Sequence, residues 1–328
     1  MRRLLPLILV AAGLLACGDS RPPPLSRDAL VGDETCLQCH TEMGNFVETA
    51  HSLSSAPANE TSIHGSFTPG ENVLNTRNPA LHYRMERSSE GFHQLALSAT
   101  ASDTTIVRSA PIDIVIGSGR KGQTYLYWEE DRLFQLPVSY WTGIGWANSP
   151  GYPSGTAIFN RPADPRCLEC HTTYAQSLPE PFAANRYDTT AVVLGIGCES
   201  CHGPGANHVA AARRGRVGGW IGHTGIVNPA DLPRARQVDG CALCHGGIGE
   251  SLQPPFSYRP GEPLADYLHQ PEPGPNDPVD VHGNQVALLA RSACFIESRM
   301  TCSTCHDVHR PQRSIAEFSA TCTSCHAP

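Results

Sequence analysis

Cys198-Glu199-Ser200-Cys201-His202, running on through Gly203-Pro204-Gly205-Ala206-Asn207 to His208, is the stretch that decides how the rest of the chain is read. The Cys-x-x-Cys-His unit recurs five more times. The copies are Cys36, Cys39 and His40; Cys167, Cys170 and His171; Cys241, Cys244 and His245; Cys302, Cys305 and His306; and Cys322, Cys325 and His326. Two thiols with two residues between them match the two vinyl groups on one edge of a haem. A histidine directly after the second thiol falls beneath the iron as its proximal ligand. Zinc ribbons pair cysteines without needing a histidine after each pair. A redox dithiol occurs once, in a thioredoxin-like setting, and disulfides leave the histidines unexplained. With histidine at about one residue in twenty, six such placements by chance would be rarer than about one in ten million. Six haems c are therefore expected, with His40, His171, His202, His245, His306 and His326 as proximal ligands.

The bulk composition agrees with a chain built around bound groups. Of 328 residues, 30 are glycine and 28 proline, which keeps long regular elements from covering most of the sequence. Charged residues make up only 17%, so the chain is not of the disordered type. The expected fold is mostly α and irregular, organised around stacked haems, with a small antiparallel β insert. Porphyrin faces would supply much of the apolar core, so the haem-free chain is expected to be largely unfolded. A net charge of −7 speaks against a nucleic-acid partner, which needs a basic face.

The N-terminus reads as an export signal. Arg2 and Arg3 precede an apolar run from Leu4 to Ala16, too short to span a bilayer but right for a signal peptide. Leu14-Leu15-Ala16-Cys17 resembles a bacterial lipobox, which would place a lipid on Cys17 and tether an exported chain to a membrane. The expected organisation is a lipoprotein signal peptide over 1–17 and a proline-rich linker over 18–30. A first haem segment over 31–60, a haem-free β-rich insert over 61–160 and a five-haem region over 161–328 follow. The expected location is the periplasm or the outer membrane and cell surface of a bacterium.

Nine histidines remain after the proximal six. Three stand out as distal iron ligands. His51 lies eleven residues after His40, three turns along a helix and on nearly the same face. His208 follows a Gly-Pro-Gly turn that can aim it at a neighbouring haem. His309, three residues after His306, cannot reach that iron but can reach another. His64, His223 and His282, each beside a glycine, come next. His82 and His93 lie in strand-like sequence and are read as structural, and His269 is left open between the two. Met300 is read as packing before ligand, and the unmatched Cys294 as a buried small apolar residue before a functional thiol.

Between Cys39 and Cys167 much of the sequence reads as strand. Leu81–Glu86 and Phe92–Leu97 flank a Ser-Ser-Glu-Gly turn, and Ile112–Ile116, Thr124–Trp128 and Leu133–Tyr140 continue the pattern. Gly117-Ser-Gly119-Arg-Lys-Gly122 matches a dinucleotide fingerprint. However, a strand and not a helix follows it, so it reads as a hairpin turn and no nucleotide is expected. Trp128, Tyr140, Trp141, Trp146 and Tyr152 are expected to pack the sheet onto haems, with a quinone or substrate pocket there as the lesser reading.

Five phrases together resemble the cytochrome c-554-like family of multihaem cytochromes. They are Val31 to His40 with Ala50-His51-Ser52, Ile112 to Gly122, Cys198 to Val209, Asp239 to His245, and Met300 to His309. The resemblance implies paired haem packing and bis-histidine irons with distal ligands at His51, His208 and His309. It also implies electron transfer outside the cytoplasm, with other redox proteins as partners. The tetrahaem member of that family has four haems and one iron without a distal ligand, whereas this chain has six motifs and a β insert. An electron carrier is the first expectation. A multihaem oxidoreductase, with one open-site haem acting on a small nitrogen or sulfur compound, is the second. A component of a cell-surface cytochrome assembly is the third.

Overall fold

The structure, a computed structural model, describes residues 25–100, 103–178, 180, 184–215, 224–270, 274, 284–312 and 314–326. The readings made for Cys17, His223 and His282 lie outside these residues.

Glycine and proline leave room for short helices only. These are α1 (Asp33–Leu37), α2 (Pro165–Glu169), α3 (Cys198–His202), α4 (Ala206–Arg213), α5 (Arg234–His245), α6 (Gln285–Ala290), α7 (Ala293–Ile296) and α8 (Ile315–Thr323). Each of the first three, with α5, α8 and a 3-10 turn at Cys302–Thr304, carries one of the six motifs.

The strands are richer than expected. One sheet joins β1 (Ser55–Pro57), β6 (Ile114–Ile116), β7 (Gly122–Glu129), β8 (Arg132–Gln135) and β11 (Arg161–Pro162). β9 (Val138–Trp141) also pairs with β7, and β10 (Gly145–Asn148) with β9. A second sheet runs in the order β2 (Val73–Asn75), β3 (Leu81–Ser88), β4 (Gly91–Ala99) and β5 (Thr104–Pro111), all antiparallel. β3 and β4 pair from Leu81↔Ser98 to Ser88↔Gly91, closing the turn expected there. The Gly117–Gly122 stretch is the turn of the β6–β7 hairpin.

The expectation of a mostly α and irregular fold is overturned, because helix and strand each take 28% of the described residues. The reason lies partly inside the haem-motif region. Thr172–Ser177 (β12) and Tyr187–Leu194 (β13), rich in threonine, tyrosine and valine, form an antiparallel ribbon between the second and third motifs.

The two large sheets bury a side-chain core of their own. Tyr83, Met85, Ala96, Val115, Tyr125, Leu136 and Val138 are at most 2% exposed. The buried phenols are satisfied by backbone carbonyls: Tyr83 donates to Thr156 at 2.9 Å and Tyr127 to Phe159 at 2.7 Å. Of the aromatics expected to face haems, Trp146 and Tyr140 belong to this core, and Trp128 packs against a second cluster. Trp146 packs against Phe67, Tyr125 and Tyr140 and donates to the Ser66 carbonyl at 2.9 Å. Tyr152 donates to the Gln135 carbonyl at 2.6 Å. A second cluster (Ile114, Leu126, Leu133, Leu168, Tyr187) joins this β region to α2 and the ribbon. By contrast, α1, α6, α7 and α8 bury no residue at all.

Candidate haem-binding constellation

Each motif is one turn of helix or 3-10 helix, which is what the attachment unit needs: the second cysteine and its histidine follow the first within a single turn. The turns are tied to one another by polar side chains. Glu199, inside the third motif and only 6% exposed, accepts from three backbone N–H groups: Val31 at 3.0 Å, Gly32 at 2.9 Å and Gly205 at 2.7 Å. Asp33 accepts from the Cys198 N–H at 2.8 Å. These contacts fasten the first motif to the third. Arg166 pairs with Glu169 at 3.3 Å and donates to the Leu243 carbonyl at 2.5 Å, while Glu169 accepts from the Phe256 N–H at 2.6 Å. The second motif is thereby fastened to the fourth. Arg234, at the start of α5, donates to the carbonyls of Met300 at 2.9 Å and Phe295 at 2.6 Å, linking the fourth motif to the approach to the fifth.

The thiols follow the same map. Cys36 contacts Cys198, Cys170 contacts Cys244, and Cys241 contacts Cys302, each pair drawn from two different motifs.

The histidines gather across motifs too. His40 and His208 have ring centres 6.4 Å apart, His202 and His309 6.0 Å, and His51 and His245 6.1 Å. Two of the pairs are near parallel, with interplanar angles of 25° and 22°, and the third is edge-on at 76°. Two metal–nitrogen bonds of about 2 Å plus about 1 Å from each nitrogen to its ring centre add to about 6 Å, the spacing of two imidazoles on opposite sides of one metal.

The remaining polar bonding fits such a group. His202 Nδ1 lies 2.9 Å from the Val227 carbonyl, which fixes the proton there and leaves Nε2 as a free donor of its lone pair. His171 Nδ1 and His208 Nδ1 are buried without a hydrogen-bond partner. Burial first, then neighbouring imidazoles, holds His51 and His202 below the usual histidine range. Burial does the same for His171, against a backbone hydrogen bond that acts the other way. Neutral imidazole is the form that binds metal. Among the described residues, no group of three or more His, Cys, Asp or Glu side chains gathers as a zinc site would require.

The path to these pairs differs in one place from the sequence reading. His51 does not ride a helix with His40. Thr41–Glu48 is a 3-10 helix that ends at Thr49 in extended backbone (φ −75°, ψ 156°), and the break turns His51 toward His245. Gly195, at φ +75°, lets the approach to the third motif pass the Ser52 carbonyl so closely that a Cβ would come within 2.4 Å of it. The hydroxyls of Ser54 and Ser55 both donate to the His171 carbonyl, at 2.9 and 2.7 Å, and accept from the N–H groups of Ile196 and Gly195.

The second-rank candidates sit elsewhere. The His64 ring lies over Gly119 in the β6–β7 turn, where a Cβ would meet its Nδ1 at 2.0 Å. His82 and His93 lie within β3 and β4, and His269 is exposed in a two-residue strand. Glu199, Asp33, Glu169, Arg166 and Arg234 were not singled out from sequence. A carboxylate between the two cysteines of a small motif, as at Glu199 and Glu169, was the available signal. Arg234 offered none, because its partners are backbone carbonyls distant in sequence.

Residues 155–203, which contain the second and third motifs, match the family described as cytochrome c554 and c-prime. Over 203 residues, 53% of the chain, the sequence is 25% identical to the C-type polyheme cytochrome OmcC of Geobacter sulfurreducens, of which the match covers 24%. An undecaheme cytochrome from the S-layer of Carboxydothermus ferrireducens aligns with 93% of this chain and 44% of its own, at 16% identity and a TM-score of 0.43. The chain thus spans about a quarter of the length of the curated relative and under half of the solved one. No helix among the described residues is long and apolar enough to cross a membrane.

Proposed function

We propose that this multihaem c-type cytochrome is an electron carrier outside the cytoplasm, holding six haems c through its six attachment motifs. Haem iron supplies one-electron chemistry, cycling between ferrous and ferric states. The polypeptide sets where each haem sits and which nitrogens bind it. His208 is assigned as distal ligand to the first motif's iron, His309 to the third's and His51 to the fourth's. In each case the distal imidazole is separated in sequence from the motif it completes, so ligation also clamps the fold. The carboxylates and arginines that tie the motifs together keep spatially neighbouring haems close, as electron transfer requires.

The observation that carries this reading is the set of three imidazole pairs at 6.0–6.4 Å, each joining a motif histidine to one of the three leading distal candidates. The acidic net charge of −7 suits docking to basic redox partners. A signal peptide and a lipid on Cys17 would deliver the chain to the periplasm or outer membrane and anchor it there.

The test is spectroscopic. His51→Ala, His208→Ala and His309→Ala should each convert one low-spin haem to a form that binds carbon monoxide when reduced, with the total haem content unchanged. Variants whose spectra and carbon monoxide binding match the unaltered protein would refute the assignment.

A further inference from the structure

Cys294 is the one cysteine of the described residues that belongs to no attachment motif. The sequence favours a buried apolar role for it, but the structure exposes it, in the short helix α7. Its sulfur lies 3.9 Å from Nε2 of His326. Nε2 is the nitrogen that the sixth motif, Cys322-Thr-Ser-Cys325-His326, presents to an iron. One metal–nitrogen bond of about 2.0 Å and one metal–sulfur bond of about 2.3 Å span about 4.3 Å, within half an ångström of the separation found. The three imidazole pairs among the described residues do not include His326. Two elements far apart in sequence, α7 and the end of α8, thus bring one thiol and one imidazole face to face where an axial ligand pair belongs.

We propose that Cys294 is the distal axial ligand of the haem at the sixth motif, which makes that haem histidine/thiolate-ligated. This rests on the six-haem reading. Coordination requires the thiol to release its proton to solvent and to donate a sulfur lone pair to ferric iron; no electron is transferred in forming the bond. The added negative charge at the iron favours the ferric state. The sixth haem therefore has a lower potential than its histidine-ligated neighbours. It sits where both motif cysteines, Cys322 and Cys325, are exposed, at a surface end of the array.

Two measurements on the full holoprotein test this. First, the native ferric protein is treated with iodoacetamide and digested, and the peptides carrying Cys294 and Cys322–Cys325 are weighed. A ligating Cys294 is protected in the native protein and reacts only after denaturation, while the Cys322–Cys325 peptide carries haem. An exposed free thiol reacts at once. Labelling of Cys294 in native protein with haem present on Cys322–Cys325 overturns the thiolate proposal alone. A Cys322–Cys325 peptide without haem overturns it together with the six-haem reading. Second, low-temperature electron paramagnetic resonance and near-infrared magnetic circular dichroism are compared between the unaltered protein and Cys294→Ser. The expected change is loss of the single thiolate-type low-spin signal, with the histidine-type signals retained and one potential raised. Spectra and potentials identical in the two proteins would overturn it.

Discussion

At the scale of single residues, the account turns on side chains that the haem motifs do not advertise. Glu199 is a buried carboxylate whose charge is offset by three backbone N–H groups from two separate segments. Removing it strands those donors, of which the Gly205 N–H is buried and the Val31 and Gly32 N–H groups half-buried. Glu199→Ala should therefore cost about 1–3 kcal/mol, the cost of an orphaned buried donor. Glu199→Gln, which keeps an acceptor oxygen, should cost less. Thermal unfolding of the holoproteins checks the order. Equal stability in all three would show that the carboxylate does not fasten the first motif to the third. The motif cysteines and histidines were legible in sequence as candidates because their spacing repeats six times. The partner of each candidate distal histidine was not, because it depends on three-dimensional closure: His51 meets His245, 194 positions on by subtraction of the two residue numbers.

At the scale of elements, the β structure and the haem turns are held by different means. The strands of the insert were readable from their β-branched and aromatic runs, as β3 and β4 show around their Ser88–Gly91 turn. The β12–β13 ribbon was less legible because its two strands, between the second and third haem motifs, are parted by a stretch that holds Pro179 and Pro181. The sheets enclose Tyr83, Met85, Leu136 and Val138 without help from any porphyrin, whereas α1, α6, α7 and α8 bury nothing. The expectation that the haem-free chain is largely unfolded therefore needs revision for this part. A chain with all twelve motif cysteines changed to serine should lose its helical circular dichroism but keep slow amide exchange in β3, β4 and β7. Fast exchange throughout would show that the sheets too depend on haem.

At the scale of the whole molecule, the thiol contacts and the polar ties give the same map: first motif beside third, second beside fourth, fourth beside fifth. Sequence order is thus not spatial order, and neighbouring motifs are brought together by contacts between distant segments. The sixth motif is exposed; α8, which carries it, packs Phe318 against His306 of the fifth motif, and His326 faces Cys294 of α7. All of this presupposes that every motif carries its haem. Intact mass of the purified, denatured holoprotein decides that directly, because thioether-linked haem stays on the chain. The expected mass is that of the processed polypeptide plus six haems; a smaller number, or a colourless chain holding zinc, would contradict it.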